Sequence, residues 1–103
     1  MPYRLLRTAK ADEQLRDIVF YRTELTGRAE AGLDLLEKLE DCFKRLAEFP
    51  ESGSPPRYAA LRARGYRVLI VEKYLAFYKI DKEAETVTVY VLVDGRRDYL
   101  NLI

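Results

Sequence analysis

Apolar and polar residues alternate most clearly near the carboxy-terminal end of the chain, where Val87, Val89, Val91 and Val93 interleave with Thr86, Thr88, Tyr90 and Leu92. A period of two is that of a strand, and it sets the four valines on one side of a sheet that another layer must cover. Two earlier runs, residues 66–71 and 74–80, are equally dense in β-branched and aromatic residues, which suit a pleated, half-buried surface. Only Glu72 and Lys73 separate those two runs, and residues 81–85 separate the second from the third. Both gaps are long enough for a hairpin and too short for a crossover helix, so the three strands form an antiparallel meander.

Upstream the period changes. Ala11, Leu15, Ile18, Val19, Arg22 and Leu25 recur at steps of three and four, preceded by Thr8 as a helix N-cap and followed by Gly27 at the position where a left-handed residue ends a helix. A second stripe, Ala29, Leu33, Leu36, Leu39, Phe43 and Leu46, widened by Leu35, Cys42 and Ala47, runs until Pro50 stops it. The short connection predicts an antiparallel helical hairpin. Residues 3–7 read as a short first strand, residues 50–56 as loop, and residues 58–64 as a helical turn. The predicted fold is therefore α+β in the order β-α-α-β-β-β. A helical hairpin packs on the valine face of a small, mainly antiparallel four-stranded sheet, and the second face stays partly open.

At 103 residues the chain is expected to be one domain, 1–103, with enough buried surface for a core without staples. A single cysteine, Cys42, excludes an intrachain disulfide, and the lack of histidine removes zinc spacing; Cys42 reads as a small buried helix residue. No metal, nucleotide or organic cofactor is expected. No signal-peptide run or stretch of about 20 apolar residues is present, so no membrane contact and a cytoplasmic location are expected. Lys and Arg number 18 against 17 Asp and Glu, which speaks against a generic nucleic-acid binder. Residues 1–51 carry 9 basic and 11 acidic groups and residues 52–103 carry 9 and 6, so positive charge leans toward the sheet half, at +3 against −2.

The third strand ends in Asp94-Gly95-Arg96-Arg97-Asp98-Tyr99. By composition alone this is an ordinary solvated terminus; it also delivers two guanidinium groups and a phenol to the end of a sheet, where side chains converge on ligands.

Five features in order, the element order and four stretches, carry a resemblance that spans nearly the whole chain. They are the element order itself, Leu46-Ala47-Glu48-Phe49-Pro50, Gly65-Tyr66-Arg67, Tyr74-Leu75-Ala76-Phe77-Tyr78-Lys79-Ile80-Asp81, and Val91-Leu92-Val93-Asp94-Gly95-Arg96-Arg97-Asp98-Tyr99. The chain resembles toxins of the RelE/ParE superfamily, from bacterial type II toxin-antitoxin modules. The resemblance implies growth inhibition and neutralisation by a cognate antitoxin protein. It implies one of two mechanisms: ribosome-dependent cleavage of mRNA without a metal, as in RelE-like members, or blocking of DNA gyrase without catalysis, as in ParE-like members. A degenerate homologue that only binds antitoxin is the third reading. For the nuclease, taken first, the resemblance assigns Arg67 and Arg97 to the phosphate and Tyr99 to acid-base or stacking work. Arg64, Lys73, Lys79 and Arg96 are its RNA- or target-binding candidates, with Lys79 on the same side as Arg67. This sequence departs from the nuclease pattern at Leu69 and Leu75, where basic residues are usual. Leu69, Val71, Leu75 and Phe77 would then form an apolar open face, the expected antitoxin contact.

Overall fold

The structure, a computed structural model that describes residues 2–103, has the predicted order. It runs β1 (Arg4–Arg7), α1 (Ala9–Thr26), α2 (Ala29–Glu48), a one-turn α3 (Ala59–Ala63), β2 (Arg67–Val71), β3 (Tyr74–Asp81) and β4 (Thr86–Asp94). The four strands form one sheet in the order β1-β4-β3-β2. The meander is antiparallel and β1 joins β4 in parallel. Thr8 caps α1, its Oγ1 accepting from the Ala11 amide at 3.0 Å, and Gly27 ends it at φ 69°, donating to the Thr23 carbonyl. No helix among the described residues is long and apolar enough to cross a membrane.

The valine face is not as predicted. Val87 and Val89 pack with Leu92 under the helical hairpin, whereas Val91 and Val93 lie in a second cluster on the opposite face with Leu61, Tyr66, Val68, Phe77 and Tyr99. The cause is a β-bulge. Tyr78 stands opposite Val89 and Phe77 opposite Val91, leaving Tyr90 with no partner on β3. One extra residue inverts the alternation beyond it. Tyr90 and Val91 consequently share a face although they are neighbours in the chain.

The second face is therefore not open. Leu61 of α3 and the segment containing Tyr99 roof it, and Phe77, predicted to be exposed there, is 1% exposed. Leu69 and Val71 sit on the helix side, while Leu75 and Phe77 belong to the other, so the four do not make a single apolar surface. The same inversion of expectation applies to two cations. Arg67 reaches the hydroxyl of Tyr78 on the helix side, whereas Lys79 lies over Tyr66 and Tyr90 on the second face.

The helical stripes also shift. Leu35, Leu39, Phe43 and Leu46 are buried, but Leu33 is 62% exposed and Leu25, at the free end of the hairpin, 66%. Buried leucines of this kind each contribute roughly 1.5–3 kcal/mol by leaving water. The buried line of α2 passes through Gly32, because there α1 comes close: a Cβ on Gly32 would collide with the Thr23 side chain and lie 2.9 Å from the Val19 carbonyl oxygen. The hairpin is then tied to the sheet by charge. Glu72, at the β2–β3 turn with φ 55°, accepts from Arg22 of α1 at 2.8 Å and from Lys38 of α2 at 3.2 Å. Arg22 in particular holds its carboxyl below the usual range.

Gly32→Val is expected to force the helices apart and to lower the unfolding free energy by about 2 kcal/mol, read from urea denaturation with an unchanged m-value.

Candidate functional site

The predicted site residues separate into four places. Lys73, Arg96 and Arg97 come together at the end of the sheet where β3 begins and β4 ends, around a groove of about 450 Å³ closed on its other side by Gln14, Asp17, Ile18 and Tyr21 of α1. Local sequence builds this end. The Asp94 carboxylate accepts from the backbone amide of Arg96 at 2.9 Å, and the Arg97 amide donates to the Asp94 carbonyl at 3.2 Å, which turns the chain directly after β4. Gly95 donates to the Lys73 carbonyl at 2.8 Å, and a Cβ there would press on that oxygen and on Leu75 at 3.2 and 3.1 Å. Gln14 closes the inner wall, accepting from the Leu92 amide at 2.8 Å on the part of the β4 edge that β1 does not reach.

Charge in the groove is unevenly matched. Arg96 grips Asp94 with two nitrogens, at 3.0 and 3.2 Å, and Lys73 stands 3.8 Å from the same carboxylate. The Arg96 side chain, then its backbone amide, lowers the Asp94 carboxyl to about 2. Arg97 is exposed, and its guanidinium makes no hydrogen bond or ion pair with the described residues. Ile18, Tyr74, Leu92 and Val93 also line the groove, but Tyr74, Leu92 and Val93 are buried, and Val93 turns its side chain into the second-face cluster.

Arg67 lies elsewhere. Its guanidinium donates to the carbonyls of Glu51 and Gly53, at 2.9 and 2.7 Å, and to the Tyr78 hydroxyl at 3.4 Å. That hydroxyl in turn donates to the Pro50 carbonyl at 2.8 Å and accepts from the Gly53 amide. Arg67 thus braces the loop after α2, at the opposite end of β2 from Lys73; four residues of strand separate it from Val71, about 13 Å. Tyr99 is buried in the second-face cluster, its ring 5.4 Å from Phe77 and 5.5 Å from Tyr58. Burial raises its phenol further above neutrality.

Arg64 and Lys79 form the fourth place. The Lys79 ammonium lies 4.5 Å from the centre of the Tyr66 ring and 5.1 Å from that of Tyr90, and Arg64 covers Tyr66 at 5.3 Å. These cations are held on ring faces within the protein. Among the described residues, no three His, Cys, Asp or Glu side chains converge in a way that would hold a metal ion.

Sequence reasoning missed the α1 wall of the groove. Gln14, Asp17 and Tyr21 fall off the apolar stripe and read as solvated helix surface; the aromatic pair Phe20-Tyr21 on that polar side was the available signal.

Residues 5–99 match the family described as "ParE toxin of type II toxin-antitoxin system, parDE". Among solved structures, the chain is similar to one titled "Chromosomal ParDE TA system from P. aeruginosa", with a TM-score of 0.73, 20% identity, and coverage of 89% of this chain and 95% of that one. It is also similar to a chain of the toxin-antitoxin complex RelBE2 from Mycobacterium tuberculosis, with a TM-score of 0.65, 21% identity, and coverage of 91% and 92%. At these identities the likeness is one of fold. No curated protein matches the chain in sequence.

The depressed Asp94 carboxyl favours the folded state while ionised. Its contribution is whole above the ordinary aspartate range of about 4 and is lost as pH falls toward about 2. Arg96→Gln should move the Asp94 midpoint upward in a carbon-detected NMR titration and reduce the loss of stability across that window.

Proposed function

The chain belongs to the family of ParE toxins of type II toxin-antitoxin systems, and from that premise we propose that this toxin inhibits growth by gripping a large protein target, DNA gyrase, without making or breaking a bond itself. Arg97, Arg96 and Lys73 are the contacts to that target, with Tyr21 beside them. The one observation that carries this reading is the dispersal of Arg67, Arg97 and Tyr99. Cleavage of RNA needs a proton acceptor, a proton donor and a cation gathered about one phosphate. Here Arg67 is spent on loop carbonyls, and Tyr99 is buried with its phenol pushed up. Beside Arg97, Asp94 is held near 2 and is a poor base at neutral pH.

A cognate antitoxin keeps the toxin silent in the resting cell. That partner is in keeping with the two solved relatives, which are titled as a ParDE system and a RelBE2 toxin-antitoxin complex. The toxin acts as one domain in the cytoplasm, where its target resides.

The test is induction of the chain without antitoxin while mapping messenger ends, plasmid supercoiling and the DNA-damage response. The expected result is altered supercoiling and DNA damage with intact messages; new cuts inside translated codons would overturn the proposal in favour of the nuclease. Arg97→Ala should lose toxicity while keeping the parent's melting temperature. Arg67→Gln should behave in the opposite way, losing about 1–3 kcal/mol of stability yet remaining toxic in cells kept below its melting temperature.

A further inference from the structure

α1 turns one row of residues away from the core. Arg16, Phe20 and Glu24 follow one another at steps of four, across the helix from the buried Ala11 and Leu15, and all three are exposed, Phe20 by 63%. A phenyl ring this open is apolar surface that association would remove from water. Gly32 of α2 meets Val19 and Thr23 of α1, so its neighbour Leu33, itself 62% exposed, lies level with Phe20 and widens the apolar centre. Among the described residues, neither the Arg16 guanidinium nor the Glu24 carboxylate has a hydrogen bond or ion pair. Each stands about 6 Å along the axis from Phe20, on opposite sides of it.

We propose that this row is a self-association surface: a second copy of the chain lays its own α1 antiparallel across it, with the two Phe20 rings meeting on the twofold axis and each Arg16 facing the Glu24 of the other copy. The proposal goes beyond the toxin reading and does not depend on it.

The order of charges along the row selects this occupant. Turned end for end about Phe20, the sequence of cation, ring and anion becomes its own complement, so one twofold contact forms two ion pairs at once. The same rotation brings Glu13 and Asp17 level with Gly27 and Thr23, and no like charges are opposed. A parallel copy would set Arg16 on Arg16 and Glu24 on Glu24, which fixes the orientation. Nucleic acid is a poor occupant, because the row and its flanks carry the carboxylates of Glu13, Asp17 and Glu24 against Arg16 alone. Helix axes packed about 8–10 Å apart leave a facing carboxylate within reach of an arginine side chain. Contact through one helix face with two exposed ion pairs belongs to the weak, transient class of interfaces, below about 1,200 Å².

The full chain, made by cell-free synthesis, is followed by sedimentation velocity from low micromolar concentration to about 1 mM, at low and at high salt. The expected result is a monomer–dimer equilibrium that weakens in high salt. Arg16→Glu and Glu24→Arg, each alone, set like charges face to face twice per dimer and should weaken association about tenfold or more. The two together restore opposite charges and should bring it back to within about threefold of the parent. In a sample mixing isotope-labelled and unlabelled chains, NMR should show contacts between Phe20 rings of different copies. The substituted side chains are exposed, and melting temperatures close to the parent's verify that each variant folds. A chain that stays monomeric throughout, a dimer that lacks the Phe20 contact or is indifferent to either reversal, or a double variant weaker than both single ones would each overturn the inference. Growth arrest on induction by a chain that never dimerises overturns this inference alone and leaves the toxin reading standing.

Discussion

One unpaired residue, Tyr90, governs how this molecule is layered. With strict alternation β4 would send all its valines under the helices and turn Tyr90 and Leu92 to the other side. The bulge sends Val87, Val89 and Leu92 one way and Tyr90, Val91 and Val93 the other. Both faces of the strand become apolar and both need a roof. The helical hairpin supplies one. The other is assembled from α3 and the residues around Tyr99, which explains why a chain this short devotes sequence to a one-turn helix between its loop and its meander.

The bulge also lies where β4 loses its neighbour. β1 pairs only as far as Val89, and beyond it the outer edge of β4 is met by α1: the Thr8 hydroxyl donates to the Tyr90 carbonyl at 2.8 Å and Gln14 accepts from the Leu92 amide. Side chains thus satisfy backbone groups that a longer β1 would have paired. The arrangement draws α1 along the end of β4, and the groove opens where that contact ceases, beside Asp94 and the two arginines. Layering and site share one cause.

Much of the fold was legible. Thr8, Gly27 and Pro50 punctuate the helices through local backbone chemistry, and the hairpin gaps at Glu72-Lys73 and residues 81–85 are properties of chain length. Of the site, the run from Asp94 to Arg97 was legible as a turn carrying cations, and Lys73 as a hairpin residue; that the two meet was not. The groupings of the remaining candidates were not. Arg67 and Lys79 were assigned one side on an assumed register, yet each strand's facing depends on hydrogen bonds to its neighbour, which leave no mark in its own sequence. Arg67 looks like a free cation until the carbonyls of Glu51 and Gly53 are seen to meet it.

The residue order alone determined which segments are helices and which are strands, where each stops, and that a basic turn follows the final strand. Those outcomes depend on dihedral preferences and hydrophobic period over a few neighbouring residues. Only the tertiary structure decided which way Val91 and Val93 face, that Phe77 is sealed, that Gly32 is a crossing point of two helices, and that Arg97 is left without a side-chain partner among the described residues. Each of these is a contest between groups far apart in the chain for the same space or the same hydrogen bond, and it has no outcome until the layers meet.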